Sequence, residues 1–132
     1  MEWVKDGEDS LALIVRSEYH SDGVNFLTPA SMTQQLAYMA HAAGHAIKPH
    51  VHNVVTRIVE RTQEVLVIRK GKIRVDFYGR DRRYIDSRVL VAGDLIVLAS
   101  GGHGFEILED VEMYEIKQGP YIGETDKSRF VP

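Results

Sequence analysis

The segment "EVLVIRKGKIRVDFYGRDRRYIDSRVLVAGDLIVLASGGHGFEILEDVEMYEI", residues 64–116, decides the fold. It breaks into short apolar stretches, "EVLVIR", "KIRVDFY", "YIDSRVLV", "LIVLA", "FEIL" and "VEMYEI", with Lys70-Gly71, "GRDRR", "AGD", "SGGHG" and "EDV" between them. β-Branched side chains pack well on a pleated surface, whereas Gly and Asp supply the backbone angles and local hydrogen bonds of turns. Turn signals every 8–12 residues or so predict an all-β sandwich or barrel, not alternating strands and helices.

Working outward, "LALIVRSEY" and "NFLTP" read as strands ahead of "SMTQQLAYMAHAAG". Ser31 is placed to cap a short helix there, but alternation of Leu36, Tyr38 and Ala40 against Ala37, Met39 and His41 fits a strand, and the next residues continue extended past Pro49. The strand reading is preferred. The tail "GETDKSRFVP" has the composition of a terminal arm. One domain is expected over residues 1–132: N-terminal strands in 1–40, a barrel in 44–116 and a C-terminal arm in 117–132.

Composition narrows the chemistry. Hydrophobic residues make up 44% of the 132 and charged residues 27%, enough for a packed core. The net charge of −3 offers no broad attraction to phosphate backbones or anionic lipid. The basic cluster from Arg69 to Arg83 alternates with Ile73, Val75 and Phe77, as on a solvated sheet face. With no cysteine, disulfides, thiolate metal sites and thiol catalysis are excluded. Asp94 interrupts the longest apolar run, so no membrane span is expected and a cytoplasmic location is the default reading. Ser100 lacks the G-x-S-x-G elbow of a serine hydrolase, and "SGGHG" lacks the spacing of a phosphate-cradling loop.

The chemistry-bearing feature is "KPHVHN", where His50 and His52 stand one residue apart. On a strand, residues i and i+2 share a face, so two imidazoles about 7 Å apart at Cα can converge on one ion. Imidazole binds several first-row metals, and the pair alone selects none of them. His20, His41 and His45 read as surface or hydrogen-bonded residues, with His41 or His45 an option for moving protons at a pocket mouth.

The surroundings of the pair resemble the motifs of the cupin superfamily over more than half the chain, residues 44–116. Five residues separate Gly44 from His50, six separate Glu64 from Gly71, and Gly93 opens "GDLIVLASGGHGFEIL" with His103 ahead of another strand. The likeness implies a jelly-roll barrel of the double-stranded β-helix type, in which His50, His52, Glu64 and His103 hold one divalent transition metal (Zn, Fe, Mn or Ni). Three features differ from the motif. Eleven residues, 53–63, separate His52 from Glu64; Ala99 and Ile107 stand at the usual proline and asparagine positions; and His103 comes one residue early. If residues 53–63 bulge as a loop, Glu64 returns to the site. If they lengthen a hairpin with "ERTQ" at its tip, it does not, and Glu60 is the substitute. Phe105 and Ile107 are expected to line the cavity with His103, and Glu106 to face away.

Two function classes follow from the resemblance. One is an enzyme acting on a small polar molecule, isomerase, epimerase or oxygenase in type. The other is a non-catalytic module that binds a small ligand. The tail "HGFEILEDVEMYEIKQGPY" is similar to small cupins of bacterial surface-polysaccharide and sugar-nucleotide pathways, which makes a sugar or nucleotide sugar the first ligand to test. Such proteins pair as homodimers, and the apolar "LALIV" is the candidate edge for that pairing.

Overall fold

A computed structural model describes all residues from Met1 to Pro132. Its backbone is all-β, with eight strands: β1 (Glu2–Asp6), β2 (Asp9–Val15), β3 (Gly23–Phe26), β4 (Ala37–Ala40), β5 (Glu64–Tyr78), β6 (Tyr84–Val91), β7 (Leu95–Leu98) and β8 (Gly102–Lys117). A single 3₁₀ turn, Gly123–Asp126, lies in the tail. The chain divides into two compact units, one of Met1–Tyr19 with Arg61–Pro132, the other of His20–Glu60. No helix is long and apolar enough to cross a membrane.

The larger unit is a six-stranded antiparallel sheet, strongly curled into a half-barrel. β5 organises it. Along one edge β5 meets β7 at Glu64–Val67 and then β6 at Lys72–Tyr78, while β8 runs along the other edge for its whole length. The concave side is filled by Val4, Leu11, Ile14, Leu66, Ile68, Ile73, Val75, Phe77, Leu90, Ile96 and Leu98, which form one buried cluster. Period-two alternation in β5, with Ile73, Val75 and Phe77 inward and Arg74 and Asp76 outward, produces this face.

Two turns expected from the sequence are continuous strand. Lys70-Gly71 lies inside β5 and "EDV" inside β8, so four of the expected segments merge into two long strands. The ladder between them slips at Ile68/Lys70, Lys70/Lys72 and Lys72/Ile73. Gly71 sits at that bulge with φ +81°, and a Cβ there would lie 2.0 Å from the Asp110 carbonyl oxygen. Glycine therefore bends the pair without breaking it, as a bulge does. On the outer face Lys70, Lys72 and Arg74 pair with Glu112, Glu109 and Glu106 across the ladder. Each exposed pair is worth little, but together they oppose a register slip.

"LALIV" is not a free edge. β2 lies between β1 and β7, and Leu11, Ala12, Leu13 and Ile14 are all buried. Its end is fixed by Asp94, which is 1% exposed and accepts from Arg16 Nη1 at 2.9 Å, Ser17 N at 3.0 Å and Val91 N at 3.1 Å. Arg16 in turn reaches Glu2 Oε1 and the Val89 carbonyl, so one ion cluster joins β1, β2, β6 and the turn before β7.

The loop from β5 to β6 carries the one non-glycine residue with positive φ, Arg82 at +68°. It closes on itself through Gly79 N to Arg83 O and Arg82 N to Gly79 O. A side chain in the left-handed region costs about 1–2 kcal/mol relative to glycine, the usual occupant of such hairpin positions.

In the smaller unit β3 and β4 form a two-stranded hairpin, braced by Thr28 Oγ1 accepting from Leu36 N at 3.0 Å. Of the strand preferred for "SMTQQLAYMAHAAG", only Ala37–Ala40 is present, as β4. Beyond it the rings of His41 and His45 stack at 4.2 Å. Residues 46–63 pair with no strand.

Candidate functional site

The curl of the sheet brings together two side chains that a flat sheet would hold far apart. Glu64 opens β5, and His103 stands opposite Phe77 near the other end of that strand. On a straight strand Glu64 and Phe77 would be about 40 Å apart. Instead, His103 Nε2 lies 3.2 Å from Glu64 Oε2. The path is short because Glu64 pairs with Leu98 at the end of β7, and the chain then turns at once into β8. That turn is fastened to β2: Ala99 N and Ser100 N donate to the Leu11 carbonyl, and Ser100 Oγ to the Ser10 carbonyl.

Around the pair is a cavity of about 580 Å³. Tyr78, Phe105 and Phe130 give it aromatic walls, and the tail residues Asp126, Lys127, Ser128 and Arg129 border it from the other side. Phe105 lines it as expected, its ring 5.3 Å from that of His103, while Glu106 turns outward to Arg74. Ile107 is 52% exposed and does not border the cavity. Phe130 anchors the tail by packing edge-on against Tyr78 at 5.2 Å, and Gln118 Oε1 accepts from Gln63 N at 2.7 Å.

Glu64 is held below the ordinary carboxylate value. The hydrogen bond from His103 is the main cause; burial opposes it, and the charges of His103, Lys117 and Lys127 add to the lowering. Lys117 Nζ lies 3.8 Å from Glu64 Oε1 and 2.9 Å from Glu115 Oε1. A depressed carboxylate stabilises the fold above its unfolded value, and that contribution is lost as pH falls through the folded value. In metal-free protein, the Glu64 side-chain carboxyl followed by carbon NMR should titrate below an ordinary glutamate, and His103→Asn should move its midpoint up. A midpoint at or above the ordinary value in the wild type contradicts the contact.

The expected ligands fall into two pairs. Glu64 and His103 meet in the larger unit; His50 and His52 lie in the smaller, their rings 5.3 Å apart and edge-on. The strand expected to present the two histidines is absent, since residues 46–63 have no ladder partner and Pro49 has no N–H to offer one. His50 Nδ1 instead lies 3.0 Å from the Lys48 carbonyl. Residues 53–63 form no hairpin, and "ERTQ" is not the tip of one. Glu60 is exposed.

Metal ligands at bond lengths of about 2.0–2.1 Å place neighbouring donor atoms about 3.0–3.4 Å apart. The Glu64–His103 spacing fits that edge, and the donor chemistry suits a divalent transition metal. No group of three or more His, Asp or Glu side chains is gathered closely enough to hold an ion.

Sequence reasoning did not find Lys127, Arg129 or Phe130 as cavity residues, nor Lys117 as the cation beside Glu64. Their signal was faint: the aromatic Phe130 following the mostly polar run from Gly123 to Arg129 marks an anchoring point of a segment that folds back. Comparison with protein-family models, curated proteins and solved structures matched none of them to this chain.

Proposed function

We propose that this chain is a metal-binding protein of cupin jelly-roll type that takes a small polar molecule, of the sugar or nucleotide-sugar class, into the cavity beside Glu64 and His103. The observation that carries the reading is the 3.2 Å contact of those two side chains within a 580 Å³ hollow. An imidazole and a carboxylate in contact, walled by aromatic rings, can give and take a proton at a bound hydroxyl or carbonyl. Lys117 keeps positive charge near Glu64, and Tyr78, Phe105 and Phe130 offer apolar faces for a sugar ring. Glu64 and His103 would supply two ligands to a divalent metal, whose contribution is to polarise a ligand oxygen. Isomerisation or epimerisation is the reaction class that uses this set most directly. A homodimer in the cytoplasm is the setting proposed with it.

The test is elemental analysis of protein purified without chelator, beside Glu64→Ala and His103→Ala. We expect one transition metal per chain in the wild type and its loss in both variants. A metal-free wild type that cannot be loaded sinks the metal reading. Incubation of loaded protein with nucleotide sugars then separates the two classes, because turnover marks an enzyme and stable capture without product marks a binding module.

A further inference from the structure

A second hollow, of about 330 Å³, adjoins the first, and Gly101, Gly102, Ser128 and Phe130 border both. Its other walls carry three arginines, Arg61, Arg80 and Arg82, and no carboxylate borders it. The surrounding ion pairs make this selective. Arg83, next in sequence, is engaged by Asp6 and Asp81. Arg80 gives one nitrogen to Asp9 and keeps its remaining donors. Arg61 and Arg82 take part in no ion pair, and Arg82 lies over the Phe130 ring at 5.5 Å.

Arg82 also holds the strained left-handed backbone position of its loop, where glycine would fit without cost. Strain of this kind persists where a side chain is needed in one place. Here the strained residue delivers a guanidinium to the rim of the hollow.

We propose that the arginine-lined hollow is a binding site for the phosphate group of a small phosphorylated ligand, whose remaining part passes Phe130 into the cavity at Glu64 and His103. Three guanidinium groups with the Ser128 hydroxyl match a polyanion with several acceptor oxygens, whereas one carboxylate is satisfied by a single bidentate arginine. A phosphorylated small molecule fits better than a nucleic acid, since the chain is net negative and these cations line a hollow, not an extended surface. The placement of the ligand's other end rests on the function proposed above; the anion site itself does not.

The experiment is calorimetric titration of the full chain with inorganic phosphate and with pyrophosphate, at low salt. The wild type should bind saturably, and Arg61→Ala should weaken binding by about tenfold, as loss of a charge-assisted contact does. Arg82→Gly should weaken it similarly while its thermal unfolding midpoint does not fall, because glycine relieves the backbone strain. Absence of binding to the wild type, or binding by both variants as tight as that of the wild type, overturns the site. His103→Ala should bind pyrophosphate as the wild type does. If metal loading and turnover fail while pyrophosphate is still held through Arg61 and Arg82, the anion site stands and the reading of the cavity falls. A preference for pyrophosphate over phosphate assigns the ligand to the diphosphate esters, and the reverse preference to the monophosphates.

Discussion

Gly71→Ala is expected to cost on the order of 4 kcal/mol of folding stability in denaturant unfolding, more than most single substitutions. Two effects combine. A methyl group in the left-handed region is strained by about 1 kcal/mol or more. At Gly71 it also meets the Asp110 carbonyl oxygen at 2.0 Å, and that atom is backbone, so it cannot swing aside. Relief requires β5 and β8 to separate where the ladder slips. Gly7→Ala is the matched control: its φ is +59°, but nothing lies within 4 Å of the added carbon, so only the conformational cost remains. Because the bend in β5 and β8 contributes to the curl that joins Glu64 to His103, any folded Gly71→Ala protein should also lose the low Glu64 midpoint. Stability equal to that of Gly7→Ala would falsify the role given to the bulge.

Asp94→Ala is expected to cost about 3–5 kcal/mol, the usual effect of removing one partner from a buried ion pair. Its carboxylate serves Arg16 and two backbone donors, Ser17 N and Val91 N, and almost none of it is exposed. Alanine leaves the two N–H groups without an acceptor and Arg16 with Glu2 and the Val89 carbonyl alone. Asp94→Asn should cost less, since an amide oxygen still accepts one of these bonds. Urea unfolding of both variants checks the order; an alanine variant within about 1 kcal/mol of the wild type would show that the cluster is dispensable.

Strand content and the inward faces were legible in residues 64–116, because alternation and β-branching are local signals. The turns were less so. Gly71 and the pair Glu109-Asp110 carry the same punctuation whether the chain reverses or merely bulges, and only the partner strand decides. "LALIV" was misread for a different reason. Five apolar residues without alternation mark a strand covered on both faces more often than an open edge, and β2 is buried in that way. For the site, Glu64 and His103 could be singled out by motif spacing, but their contact depends on a curl that no local pattern encodes. The arginine hollow was hidden in what read as a solvated basic face, because Arg61 is distant in sequence from Arg80 and Arg82.

β8 has a further consequence for solubility. It is a 16-residue strand paired on one side only, and it exposes Phe105, Ile107, Leu108, Met113, Tyr114 and Ile116. An edge of that length and character is a template for joining another chain into a growing sheet. The acidic residues Glu106, Glu109, Asp110, Glu112 and Glu115 make two such strands repel each other at neutral pH. The same carboxylates that keep β5 and β8 in register therefore act as gatekeepers against fibre-like stacking. Replacing Glu106, Glu109 and Glu112 together by glutamine removes both protections at once, so that variant should aggregate through this edge while its core is still folded.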